Sequence, residues 1–225
     1  MGKKGQNGHD RARRLLAQEA ARIIVDEGIE DYRIAKVKAA ERLGLSERGS
    51  LPGNGEIEAA VADHLNLFQQ DTHSSLLKLM RTAALSAMRL LSPFNPRLVG
   101  PVLAGTAGEH SAVNLHAFSD SAEQVAFLLQ DTGVVYKPFE RRYKSRRGRP
   151  ETYAAFSFIH QNQPIEVTVF PFDGIRQAPI SPVDGKPMRR ADAEKVQALL
   201  HAADDMAEQL PPAGDGVEAE TNSGP

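Results

Sequence analysis

The chain has 225 residues, 41% of them hydrophobic and 25% charged, which is enough for a buried core in one large or two small domains. A net charge of −2 excludes a global field drawing the protein to nucleic acid or membrane, and the lack of cysteine excludes disulfides and thiolate metal sites. No run approaches the roughly 20 apolar residues of a membrane span, and no apolar segment follows the basic start MGKKGQNGHDRARR, so a cytoplasmic location is expected.

Residues 1–8, rich in Gly and Lys, are expected to be disordered. A helix then starts near Asp10, with Leu16, Ala20, Ile23 and Ile24 at helical spacing and Gly28 as its stop. A second runs from Asp31, with Ile34, Val37, Ala40 and Leu43 as its stripe and Gly44 as its stop. Asn54 is placed to cap a third, which carries Glu56 and Glu58 in its first turn and buries Ile57, Val61, Leu65 and Phe68. A fourth spans 74–91, with Leu76, Leu77, Met80, Ala84, Met88 and Leu91 apolar, and Ser92-Pro93 ends it. Gln69–His73 breaks the pattern only weakly, so the third and fourth helices are open to being one.

From residue 97 the period changes. Two apolar runs, Leu98–Leu103 and Ala112–Phe118, flank the small-residue stretch Gly105–Gly108 and read as strand, turn, strand. Asp120 and Glu123 resemble a capping box opening a helix that Gly133 stops. Val134–Tyr136 reads as a strand entering a basic loop, and Thr152–Ile159 and Pro164–Phe170 as strands about a turn at 160–163. Residues 171–186 are irregular, and a last helix begins near Ala191. The reading is α+β: a helical region 1–93, a sheet region 94–210 with flanking helices, and a disordered acidic tail 211–225.

The segment RLVGPVLAGTAGEHSAVNLHAF resembles the core motif of the polymerase-β-like nucleotidyltransferase superfamily. There a strand ends in Gly-Ser, a second strand carries Asp-x-Asp after about ten residues, and a later strand supplies a third carboxylate. Gly100 stands at the glycine position, Ala112-Val-Asn114 lies twelve positions on, and Ile165-Glu166-Val167 matches the third-carboxylate strand. The leading helices, together with Ser111-Ala-Val-Asn-Leu-His116, also resemble an uncharacterised bacterial family with such a core, whose motif runs Ser-Asp-Ile-Asp-Leu-His. The likeness covers roughly residues 74–171. It implies a small mixed sheet and a nucleotide pocket at Gly100, Asn114, His116 and Glu166.

The chemistry of that motif has changed. Two divalent ions must bridge the triphosphate and the attacking hydroxyl, and hard Mg²⁺ favours carboxylate oxygens. On a strand of period two, Ala112, Asn114 and His116 share one face. Ala112 has no ligand atom, Asn114 offers a neutral carbonyl, and imidazole suits softer metals. Gly100-Pro101 loses the motif's hydroxyl and an N–H donor. The expectation is a degenerate, non-catalytic member with no metal or cofactor, binding a nucleotide, RNA or a protein partner.

Two alternatives stay open. One is an active nucleotidyltransferase with Mg²⁺ on Asn114, Glu166 and a substitute ligand, Glu109 or Asp120. The other is a structural or interaction protein whose sheet binds no nucleotide. Six Lys/Arg between Arg141 and Arg149, namely Arg141, Arg142, Lys144, Arg146, Arg147 and Arg149, with Tyr143 among them, can hold phosphate or RNA; the plainer reading is a solvated hairpin tip. The acidic tail is placed to mask this run. Residues 20–49 also superficially resemble the start of a TetR-type helix-turn-helix, but Leu51-Pro-Gly-Asn-Gly55 intervenes where its third helix should follow.

Overall fold

A computed structural model describes residues 3–29, 31–45, 51–68, 70–145 and 148–208. Helix α1 (Lys3–Glu27) starts upstream of Asp10 and takes in residues expected to be disordered. Once a helix is nucleated, each added residue costs little. Asp31 caps α2 (Tyr32–Arg42), its carboxylate accepting from the N–H groups of Arg33 at 2.7 Å and Ile34 at 3.3 Å. The buried face of α2 is not the expected stripe. Ile34 and Leu43 are exposed, and Ala35, Ala39 and Ala40 face inward, small enough for α1 to approach closely.

Asn54 opens α3 (Asn54–Phe68) without capping it. Glu56 instead turns back to accept from the Gly53 N–H at 2.7 Å, one arm of a capping box. Asn54 Oδ1 accepts from Lys36, and its Nδ2 donates to the carbonyl of Pro182 at 2.8 Å. Leu16, Ile23, Ile57, Val61 and Leu65 close a core shared by α1, α2 and α3.

Helix α4 (Gln70–Leu90) packs elsewhere. Met80, Ala84, Met88 and Leu91 join the core of the sheet, so packing divides the chain between α3 and α4 rather than at residue 93. A 3₁₀ turn, Ser92–Phe94, leads into β1 (Arg97–Val99), α5 (Gly100–Ala104), β2 (Val113–Phe118) and α6 (Ala122–Asp131). Then come β3 (Tyr136–Lys144), β4 (Pro150–His160), β5 (Gln163–Phe170), a 3₁₀ turn Phe172–Arg176 and α7 (Ala193–Glu208). The fold is α+β. Its five strands run β1-β2-β5-β4-β3, with β2 and β5 parallel and the other neighbours antiparallel. Val113, Leu115 and Ala117 of β2 face a core completed by α4, α6 and α7.

Three expectations are corrected here. The run Leu98–Leu103 is not one strand. Gly100, at φ +71°, turns the chain left-handed after three strand residues, and Pro101 sets the first turn of α5. The basic run is not a loop: Arg141, Arg142 and Lys144 lie in β3, a nine-residue edge strand. Cationic side chains and Pro138 are the features that keep an edge strand from pairing with another chain. Asp120 does not cap α6. Its carboxylate accepts from Phe172 N–H across the sheet end, while Glu123 accepts from Ser121 Oγ. Arg146, Arg147 and the tail 211–225 lie outside the described residues.

Candidate functional site

Asn114 sits directly between Val99 of β1 and Glu166 of β5, and His116 pairs across with Thr168. Period two therefore sets Asn114, His116, Glu166 and Thr168 on one face, as the strand pattern requires. Arg141 and Tyr143, two apart on β3, reach over β4 onto that same face. The Arg141 guanidinium donates through Nη1 to Asn114 Oδ1 and through Nη2 to Glu166 Oε2. Asn114 completes its bonding by donating Nδ2 to the carbonyl of Ala112 at 3.1 Å. The pair is partly enclosed: the Arg141 and Glu166 side chains are 25% and 24% exposed.

This site is electroneutral without an added ion. One carboxylate meets one guanidinium, and the strand partner at 114 is uncharged. Among the described residues no three His, Asp or Glu side chains gather into a metal-binding group. The donor set does not fit the two ions of nucleotidyl transfer, because its only carboxylate is already held by a cation. Neither proposed substitute changes this. Asp120 lies six residues along from Asn114, about 20 Å on an extended strand, and is engaged with Phe172. Glu109 is exposed in the turn before β2.

His116 is fully buried and lies beneath the site rather than in it. Arg190 Nε donates to its Nδ1 at 3.1 Å, which makes Nδ1 the acceptor and leaves the proton on Nε2, 3.3 Å from the Tyr143 hydroxyl. Burial, then the nearby charges of Arg190 and Arg141, hold its pKa well below the usual histidine value. Arg190 also lies 5.0 Å from the Phe118 ring centre and 5.3 Å from that of Phe170, and burial pulls it down to about 10.

The sign of the pH effect follows. The unfolded state takes up the proton near pH 6.5 and the folded state resists it, so the stability that neutral His116 contributes is present above pH 6.5 and lost as pH falls below it. Urea titrations are expected to show unfolding free energy declining below pH 6.5 by up to about 1.4 kcal/mol per pH unit for each such histidine. His116→Gln should flatten that decline. His73, also lowered by burial, supplies what remains. An unchanged slope in the variant would refute this assignment.

A cleft of about 640 Å³ opens over this face. Gly100, Asn114, Arg141, Arg142 and Lys144 line one side, and the segment 180–188 forms the other, tied down by Ile180 N–H donating to Lys144 O at 2.8 Å. No protein-family profile matches the sequence, and no curated protein matches it. Of the expected pocket residues, Gly100 and Asn114 line the cleft, Glu166 is bound to a lining residue, and His116 lies behind. Of the expected phosphate contacts, Arg141 faces inward and is spent on Glu166. Arg142 and Lys144 line the cleft, and Arg149 is exposed in the β3–β4 turn. Arg190 and the covering segment 180–188 were not foreseen. Arg189 and Arg190 are adjacent and chemically alike, and only tertiary partners, His116 and the rings of Phe118 and Phe170 among them, distinguish one from the other.

Proposed function

We propose that this protein is a nucleotidyltransferase-like fold that binds a nucleotide without transferring it. The observation that carries this reading is the Arg141 guanidinium bridging Asn114 and Glu166 at the position where the motif's carboxylates would hold metal. A guanidinium fixed there is neutralised by Glu166 and fills the position of the metal. It cannot bring together the attacking hydroxyl and the leaving group as two divalent ions do. Arg142 and Lys144, exposed on the strand that borders the cleft, add positive charge at its edge, and the cleft lies within the usual range for small-ligand pockets, roughly 300–1,000 Å³.

Thermal unfolding with each nucleoside triphosphate, in Mg²⁺ and in EDTA, tests the reading. At a hundredfold excess over Kd, binding to the folded state adds about 2.7 kcal/mol, a rise of roughly 5–10 °C for a chain of this size. The expected rise is equal in Mg²⁺ and EDTA and is reduced by Lys144→Glu. A rise that requires Mg²⁺ would favour the active enzyme instead. No rise with any nucleotide would sink the nucleotide reading and turn the search to RNA or protein partners.

A further inference from the structure

A second cavity, of about 300 Å³, adjoins the cleft. The two share Gly100, Ser181, Pro182 and Met188 in their walls. Their linings differ in kind. The cleft carries Arg142 and Lys144, while the smaller cavity is walled mainly by Pro101, Leu103, Val183, Met188 and the ring of Tyr32, with Glu58 set among them and Asp184 and Arg189 also in its lining.

Glu58 is half-buried, and its partners are hydroxyls. Thr106 Oγ1 donates to Oε1 at 2.5 Å, and Tyr32 Oη donates to Oε2. No ion pair to Glu58 is present among the described residues. A carboxylate offers about four acceptor sites, and the hydroxyls use two. One oxygen is fixed by each hydroxyl, so the carboxylate is held in orientation and retains acceptor capacity on both oxygens. A partly desolvated carboxylate held by hydroxyls is stabilised by further donors and repelled by acceptors.

We infer that this cavity receives the base of the nucleotide bound in the adjoining cleft, and that Glu58 selects guanine. The inference rests on the nucleotide reading above and adds which base is taken. Guanine presents N1–H and the 2-amino group side by side, two donors for two oxygens. Adenine presents an amino group beside the N1 acceptor, which would face the carboxylate. The apolar wall of Pro101, Leu103 and Met188 covers the faces of the ring, and the wall shared at Gly100, Ser181, Pro182 and Met188 sets base and phosphates side by side.

Calorimetric titration with GDP, ADP and inorganic diphosphate tests it on the full chain. GDP is expected to bind at least tenfold tighter than ADP, with diphosphate weakest. Glu58→Gln should bring GDP to the ADP level. Ala104→Trp, at an exposed position of the cavity wall, should abolish the preference and leave diphosphate binding unchanged. This second variant keeps the test sound if loss of the Tyr32 and Thr106 bonds unfolds the first. Equal affinities for GDP and ADP, or a preference that survives Ala104→Trp, would overturn the guanine assignment while leaving nucleotide binding intact. Failure of all three ligands to bind would overturn both.

Discussion

Arg141→Met is expected to lower the unfolding free energy by about 2 kcal/mol. Removing one member of a buried ion pair costs roughly 3–5 kcal/mol, because the other charge is stranded. Arg141 and Glu166 are about a quarter exposed, so water recovers part of that cost. The stranded group is Glu166, with Asn114 losing its donor as well. The double variant Arg141→Met, Glu166→Met removes both charges and should recover most of the loss. Chemical denaturation of the four proteins gives the coupling energy directly. Strictly additive losses would mean that the guanidinium and the carboxylate do not act as a pair, and the reading of the cation as a stand-in for metal would fail with it.

Gly28→Ala is expected to cost more, about 3 kcal/mol, and to lower Tm by roughly 6–12 °C. Two effects add. Gly28 has φ +66°, where a residue with Cβ pays roughly 1–2 kcal/mol. The new Cβ would also lie 2.6 Å from His110 Cβ and 2.8 Å from His110 Cγ, an overpacking of the kind that costs about 1–3 kcal/mol. The contacts separate the two. His110→Ala keeps the Cβ and should rescue little. His110→Gly removes it and should return the steric part, leaving the left-handed cost. Equal rescue by both would show that the ring, not the backbone approach, sets the distance. Gly28 thus does more than stop α1: it lets the turn before β2 lie against the end of that helix.

Much of the fold was legible because it is local. Asp31 caps the residues that follow it, Ile57, Val61 and Leu65 fall every fourth position, and Val113, Leu115 and Ala117 alternate with Asn114 and His116 as a strand requires. The errors lie where a distant partner decided. Asn54 and Asp120 both look like caps for the helix that follows, yet each spends its side chain on a segment far along the chain, at Pro182 and Phe172. The strand β3 was hidden by its charge. Phe139, Arg141 and Tyr143 alternate with Glu140, Arg142 and Lys144, a period of two that four cations in the nine-residue strand disguise as a solvated loop. Asn114 and Glu166 were singled out together through the resemblance to the nucleotidyltransferase motif, and the parallel register of β2 and β5 sets them side by side. Their partner was singled out from charge alone, as a contact for phosphate. Alternation along β3 puts Arg141 and Arg142 on opposite faces, but nothing in the sequence says which of the two turns towards Asn114 and Glu166.

The two cores differ in how much chain they need. The α1–α3 core draws on residues 16 to 65 and is finished early in synthesis. The sheet core runs from Met80 to Leu200, and β1 is pinned by Leu98 exchanging hydrogen bonds with Ala191 at 2.8 and 2.9 Å. Contacts of that sequence separation are slow to close. A nascent chain therefore carries a completed helical trio while the apolar strand β2 waits for β5 and α7 to emerge. The segment 180–188, which roofs the cleft and walls the cavity beside it, is among the last parts laid down. The cleft is thus assembled only when nearly the whole described chain has left the ribosome, and a translation product cut short before Ala191 would have the helical trio without the completed sheet that lines it.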